Sequence, residues 1–172
     1  MYEEELKIPK ERVAVLIGKK GETKRAIERR TKTKITVSKE GDVKVTAEES
    51  VNAFIVLPII KAIGRGFNPG IAVMLAKDNF HLEIVDLRDF AKDSKAKMQR
   101  IRARLIGTEG KAWKMLETMT NTHIAVHGRT TAIIGTVEEV HIAKQAVEKL
   151  LAGSPHSNVY RFIEAQMHDL QQ

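Results

Sequence analysis

Along most of the chain, apolar and polar positions either alternate or recur at helical spacing, and the whole pattern occurs twice. Leu6-Lys7-Ile8 alternates and stops at Pro9, which predicts a short strand. A helix opened by Pro9 then runs through Ile17, with Val13, Leu16 and Ile17 on its inner face. Gly18 and Gly21 bracket a tight turn. From Glu22 to about Arg30 a second helix is predicted, with Ala26 and Ile27 inward and Lys24, Arg25, Arg29 and Arg30 outward. Thr33 to Val37 alternates as a strand, Glu40-Gly41-Asp42 turns, and Val43-Lys44-Val45 returns. A third helix, from about Glu48 to Ile63, ends at Gly64. Val51, Phe54, Leu57 and Ile60 leave it almost no polar face, and Pro58 is expected to bend it. The apolar segment Pro69 to Ala76 is its expected cover. The pair is expected to be buried between two domains, the alternative being a large first core.

The second run opens with the alternating strand Phe80 to Val85. Its first helix, from about Ser94 to Ile106, is longer than its counterpart. Met98, Ile101 and Leu105 form the inner stripe, and Lys97, Arg100 and Arg104 form a basic one. A glycine turn, a helix, two strands and a helix to Ala152 follow. After the Gly153-Ser154-Pro155 break, a closing helix runs from about Asn158 to Leu170. The two runs share a register: Leu16-Ile17-Gly18-Lys19-Lys20-Gly21 returns 89 positions later as Leu105-Ile106-Gly107-Thr108-Glu109-Gly110. The same offset pairs Glu28 with Glu117, Thr31 with Thr120, Ile35 with Ile124 and Val37 with Val126. At the far end it pairs Glu49 with Glu138, Val51 with Val140 and Gly64 with Gly153. One G-x-x-G is a weak signal, but two copies in register over roughly fifty positions mark an internal duplication.

The 172 residues therefore divide into a first domain 1–66, a linker with a short helix 67–79, a second domain 80–153 and a C-terminal helix 154–172. Twenty-nine Lys and Arg against 22 Asp and Glu give a net charge of +7, which favours a polyanionic partner. The excess is concentrated between Arg88 and Lys114, where nine basic residues stand against three acids. Absence of cysteine excludes disulfides and thiolate zinc sites. The acidic Met1-Tyr2-Glu3-Glu4-Glu5 start is unlike a signal peptide, and no apolar run is long enough for a membrane span. The expectation is a soluble, cytoplasmic protein without a membrane partner.

Ile-Gly-x-x-Gly is followed by an apolar residue six beyond the second glycine, Thr ten beyond and Ile fourteen beyond. In a β-α-α-β-β-α order, this resembles the KH RNA-binding domain of the eukaryotic type. The implied fold class is α+β: two tandem KH domains, each a three-stranded sheet packed by three helices. Two such units in so short a chain look like the archaeal relatives of a ribosome-assembly factor. In eukaryotes that factor accompanies the endonuclease that trims the small-subunit rRNA 3′ end and the rRNA dimethyladenosine methyltransferase. The resemblance implies a non-catalytic binder of single-stranded RNA, at small-subunit rRNA near its 3′ end, acting in assembly and pre-rRNA processing. It implies the endonuclease or methyltransferase as protein partner, and no cofactor, metal or small-molecule substrate. The alternative is a protein-interaction scaffold that docks a processing enzyme and binds little RNA itself; a nuclease with an unrecognised site is a third reading.

Paired glycines let two backbones approach, and the helix that follows aims its N-terminal N–H groups at the turn, where a phosphate fits. Such a KH loop clamps about four nucleotides, with bases on the apolar groove beside it. The RNA-binding residues implied in the first unit are Val13, Ile17, Gly18, Lys19, Lys20, Gly21, Lys24, Arg25 and Ile35. In the second they are Lys97, Arg100, Arg104, Ile106, Gly107, Thr108, Glu109, Gly110, Lys111, Lys114 and Ile124. Ile27 and Val37, and Ile101, Leu116 and Val126, complete the two apolar grooves, although most of each set must be core. Lys19 and Lys20 suit a phosphate clamp. Thr108 and Glu109 do not: Glu109 either repels phosphate, points away or accepts from a base amino group, or else the second unit binds protein. Aromatic residues make up only 5% of the chain, which argues against stacking platforms. The glycine turn lacks P-loop spacing. His123 and His127 have no third ligand in view and read as sheet residues, Trp113 reads as a packing residue, and no catalytic constellation is visible.

Overall fold

The computed structural model describes every residue from Met1 to Gln172, as two units, Met1–Asp78 and Asn79–Gln172. In the first, β1 (Tyr2–Lys7), β2 (Thr33–Val37) and β3 (Asp42–Ala47) form an antiparallel sheet in the order β1-β3-β2. Alternation places Val43, Val45 and Ala47 of β3 in the core and Lys44 outside, so β3 takes the centre. β1 begins earlier than its pattern predicts and ends before Ile8. The Tyr2-Glu3-Glu4-Glu5 stretch is exposed, and it is strand because β3 pairs it, with Tyr2 opposite Ala47. Ile8 instead plugs the core at 3% exposure and donates its N–H to the Gly41 carbonyl (2.8 Å).

α1 (Lys10–Ile17), α2 (Glu22–Thr31) and α3 (Ser50–Gly64) cover one face of this sheet, followed by α4 (Pro69–Ala72) and a 3-10 turn over Val73–Ala76. α2 buries Ile27, but Ala26 is exposed, contrary to the expected inward pair. α3 buries Val56, Ile59, Ile60 and Ile63 completely, and Pro58 lies within one continuous element. Its cover comes from its own unit: α1, α2, the sheet and the 69–76 segment, where Ala72 and Leu75 are buried. All-round burial does not hold, because Val51 and Phe54 remain 55% and 76% exposed. Of the 67–79 segment, expected as a linker, residues up to Asp78 belong to the first unit, and Pro69–Ala76 packs on α3 with Phe67 buried before it.

The second unit repeats the plan with additions. β4 (Phe80–Asp86) leads to α5 (Arg88–Ala91), which the pattern did not announce, and then to α6 (Lys95–Ile106) and α7 (Lys111–Thr120). β5 (His123–His127), β6 (Thr130–Thr136), α8 (Val137–Leu151) and α9 (His156–Leu170) follow, and the sheet order is β4-β6-β5. α9 is part of this core: Val159 and Ile163 are fully buried with Leu105, Leu116, Ile133 and Leu150.

The strand registers correct the uniform repeat offset. Ile35 pairs with Val45 and Ile124 with Ile133, so the offset falls from 89 to 88 in the returning strand. It falls again to 87 across the 15-residue helices α3 and α8, where buried Ala53, Val56, Ile60 and Ile63 match buried Val140, Ala143, Val147 and Leu150. The second turn is one residue shorter, and Thr136 runs directly into α8 where Glu48 and Glu49 separate β3 from α3. The pairings Glu49–Glu138, Val51–Val140 and Gly64–Gly153 are coincidences of composition.

Arg12, which sequence patterning passed over, fastens α1 to the end of α3. Its Nε donates to the Ile63 carbonyl (2.7 Å), in the last turn of α3, and its Nη2 to the Phe67 carbonyl (2.8 Å), just beyond that helix, where a cation also complements the helix C-terminus. Burial lowers its pKa, a shift that neighbouring Glu11 opposes. Arg12→Ala is expected to destabilise the chain by about 1.5–3 kcal/mol in urea titration, the range for hydrogen bonds to a charged group. Lys10→Ala, at an exposed position of the same helix, is expected to change stability by less than about 0.5 kcal/mol; equal losses would remove this role for Arg12.

Candidate functional site

The two glycine turns have nearly the same backbone. Gly18 and Gly107 adopt φ 75°, ψ 175° and φ 74°, ψ 174°. Lys20 and Glu109 sit at φ 55°, ψ 25° and φ 56°, ψ 26°, and Gly21 and Gly110 at φ 76° and 75°. A Cβ on Gly18 would lie 2.1 Å from Thr23 Oγ1, and one on Gly107 would lie 2.7 Å from Ala112 Cβ and 2.8 Å from its nitrogen. The first glycine is thus demanded by the approach of the following helix as well as by its positive φ. The N–H groups of Glu22 and Lys111, which open α2 and α7, donate to the Lys19 and Thr108 carbonyls, and no side chain caps the first-turn N–H groups that follow.

Behind each turn, the second helix braces the edge strand. Glu28 Oε2 accepts the Ile35 N–H at 2.8 Å, and Glu117 Oε2 accepts the Ile124 N–H at 2.8 Å. The carbonyls of these two residues accept from different donors in register: Lys24 Nζ at 3.0 Å and Trp113 Nε1 at 2.6 Å. Thr31 Oγ1 reaches the Ile27 carbonyl (2.8 Å) and the Thr33 hydroxyl (2.7 Å); Thr120 repeats this with Leu116 (2.6 Å) and Thr122 (2.7 Å). Both edge strands therefore have these outward backbone groups engaged beside the turn.

These braces reassign several expected site residues. Lys24 is folded onto Ile35 and lies 3.7 Å from Glu28, so it is not an outward cation. Ile35 and Ile124, expected on the groove floors, are core residues at 1% and 2% exposure, as are Ile27, Ile101 and Leu116. Val13, Ile17 and Val37 in the first unit, and Ile106 and Val126 in the second, are only half-buried. Arg104 is a tie rather than a free cation: its Nη2 donates to the Ser154 carbonyl (2.5 Å), and His156 Nε2 lies 2.9 Å from the Arg104 carbonyl. Lys19, Lys20, Arg25, Lys97, Arg100, Thr108, Glu109, Lys111 and Lys114 are exposed, with Arg25 lying over Gly21.

Two residues at the turns escaped the sequence reading. Glu22 opens α2 and offsets one of the two loop lysines. Arg102 occupies the register position of Val13, one helical turn before Ile106; its Nε is buried and makes no hydrogen bond. The signal was available, since the 89 offset pairs an arginine with a groove valine. No group of three or more His, Asp or Glu is placed to hold a metal ion, and no helix is long and apolar enough to cross a membrane.

The family comparisons agree with this architecture. The model of the second, eukaryotic-type (type I) KH domain of PNO1 matches residues 81–168, and a general KH-domain model matches residues 3–55. The chain belongs to the KH-domain family. A KH domain-containing protein of Methanocaldococcus jannaschii is 41% identical over 165 residues, covering 94% of this chain and 72% of that protein. The structure of an a/eIF2alpha-aDim2p-rRNA complex from Pyrococcus horikoshii contains a chain 44% identical, with a TM-score of 0.91 over 98% of this chain and 95% of that one. The pre-rRNA-processing protein pno1 of Aspergillus fumigatus is 27% identical over 103 residues, covering 59% of this chain and 41% of the fungal protein, so this KH chain matches less than half of that relative.

In these KH units the steric demand at the first glycine is separable from the cost of positive φ. Gly128, at φ 56°, would place a Cβ in open space. Gly128→Ala is expected to cost about 1 kcal/mol from backbone conformation alone. Gly107→Ala adds overlap with Ala112 and is expected to cost about 2–4 kcal/mol by chemical denaturation. Equal costs would mean the turn tolerates a side chain.

Proposed function

We propose that this KH-domain chain is a non-catalytic binder of single-stranded RNA, that its target is small-subunit rRNA near the 3′ end, and that it serves ribosome assembly and pre-rRNA processing in the cytoplasm. The observation that carries the reading is the pair of glycine turns with matching dihedrals, each backed by an uncapped helix start. A phosphate accepts from such N–H groups and is favoured by the helix's partial positive charge, and a KH loop holds about four nucleotides in this way. Lys19 and Lys20 strengthen the first clamp, and Lys111 and Lys114 flank the second. rRNA as the target is supported by the relative solved in a complex that includes rRNA and by the pre-rRNA-processing relatives. The rRNA 3′-end endonuclease or the dimethyladenosine methyltransferase is the protein partner this reading implies.

Docking of a protein is a second reading, supported by the exposed Val51 and Phe54 on α3 and by the protein subunit in that relative's complex. Salt separates the two. RNA affinity that rests on several phosphates falls steeply with salt, whereas a scaffold with little RNA binding gives a flat response.

The test uses Lys19→Asp with Lys20→Asp, and separately Glu109→Lys, each against a small-subunit rRNA 3′ fragment and random RNA. The double reversal moves the local charge by four units and is expected to weaken binding of both RNAs about tenfold without unfolding. Glu109→Lys is expected to strengthen binding to both by removing a like charge. If Glu109 reads a base, the variant loses affinity for the rRNA fragment alone, because base contacts specify and phosphate contacts position. No change in any of the four measurements would mean that the glycine turns are not the RNA site.

A further inference from the structure

The largest length difference between the two repeats lies ahead of the first glycine turn. Lys7 pairs with Asp42, and Asp86 with Thr130, each at the first position of the central strand. The next residues, Ile8 and Leu87, donate their N–H groups to the Gly41 and Arg129 carbonyls, both at 2.8 Å. Here the offset is 79, whereas at the glycine turns it is 89, so the second unit holds ten extra residues between these points. The first unit forms the same sheet and helix pair without them. The extra residues form α5, the Lys92 elbow and the first turn of α6, and they carry Arg88, Lys92, Lys95 and Lys97 against Asp89 and Asp93.

We infer that this insertion builds a phosphate-binding site at the far end of the second unit's groove, which holds RNA beyond the nucleotides clamped at Gly107–Gly110. The inference rests on the reading of the chain as an RNA binder. A cavity of about 400 Å³ is lined by Arg88, Lys92, Lys95 and Arg129, with Asp93 as its one acid. Arg88 is held by Asp86 at 2.6 Å. Lys92, Lys95 and Arg129 form no ion pair. Lys92 has φ 52° and ψ −133°, a conformation that glycine adopts readily and lysine does not, so a cation is kept where the backbone favours glycine. The Ser94 hydroxyl already accepts the Lys97 N–H (3.1 Å), so the recognition comes from the side chains and not from the start of α6.

Position selects the occupant. α6 has Gly107 at one end and the cavity at the other, about 18 Å apart for its length. β5 starts beside α7, where Ile124 is braced by Glu117 and Trp113, and ends at His127, next to the turn that carries Arg129. Both walls of the groove therefore run from the glycine turn to the cations. A strand whose backbone enters at Gly107–Gly110 and follows the groove brings a later phosphate to Lys92, Lys95 and Arg129.

The experiment compares the full chain with a triple variant, Lys92→Gln, Lys95→Gln and Arg129→Gln, all at exposed positions. The probes are the 3′-terminal stretch of small-subunit rRNA of about 12 nucleotides and the pool of its tetranucleotide pieces, the length one KH clamp holds. The variant is expected to lose about tenfold in affinity for the longer RNA. Its slope of log affinity against log salt should fall by about 2, near 0.7 for each lost phosphate contact to a single strand. Tetranucleotide binding should be unchanged. Equal losses on both probes, or no loss on either, overturn the inference while the RNA-binding reading stands, and leave these cations to an acidic protein surface. If the unmodified chain binds neither probe, the RNA-binding reading falls and takes this site with it.

Discussion

A Cβ on Gly18 would stand 2.1 Å from Thr23 Oγ1, and one on Gly107 2.7 Å from Ala112 Cβ. Each unit depends on the absence of those atoms. Without a Cβ, the second helix can start against the end of the first, at an angle fixed by one residue in the left-handed region and a second glycine. That angle carries Glu28 and Glu117, two turns along their helices, to the edge strand, where each accepts an isoleucine N–H at 2.8 Å. The helix start stays without a side-chain cap because its N-cap residues, Gly21 and Gly110, have no side chain.

The wall shows what the fold requires chemically. β2 and β5 are edge strands, and an edge with free N–H and C=O groups invites another strand. Both repeats close that edge with a glutamate for the N–H and a side-chain donor for the carbonyl. The donor is an ammonium in one repeat and an indole in the other. Lys24 and Trp113 share reach and an N–H, and little else. The position thus supplies a hydrogen bond to the strand in both repeats, through the Lys24 ammonium in one and the edge of the Trp113 ring in the other.

What was legible in the sequence follows the range of the interactions. The glycine turns, the duplication and the element order apart from α5 are visible in spacing alone. The uniform offset failed beyond the second strand, because a turn shortened by one residue and a helix junction shortened by another move the register while chance identities such as Glu49 and Glu138 persist. Lys24 and Arg104 were read as solvated cations, since their acceptors, the Ile35 and Ser154 carbonyls, lie 11 and 50 residues away. Ile35 and Ile124 belong to an alternating strand that does not announce which neighbour covers them. Arg12 was passed over for the same reason: its partners are carbonyls 51 and 55 residues away, at the end of α3 and just beyond it.

On an almost unchanged backbone, the two units carry different electrostatics. The first turn presents Lys19 and Lys20, with Glu22 opening the helix; the second presents Thr108 and Glu109, with Lys111 in that place. The positive charge missing from the second turn reappears around it, as Arg102 where the first groove has Val13 and as the basic insertion ahead of α6. A buried donor without a partner is costly to keep, and Arg102 Nε is such a donor. Charge at a turn positions any phosphate, whereas a donor held inside a groove discriminates among the groups brought to it. For the proposed RNA function this separates two tasks that a single KH unit must combine. The first repeat places its extra cations at the loop, whereas the second keeps the same glycine turn and carries its extra cations on α6 and on the insertion ahead of it.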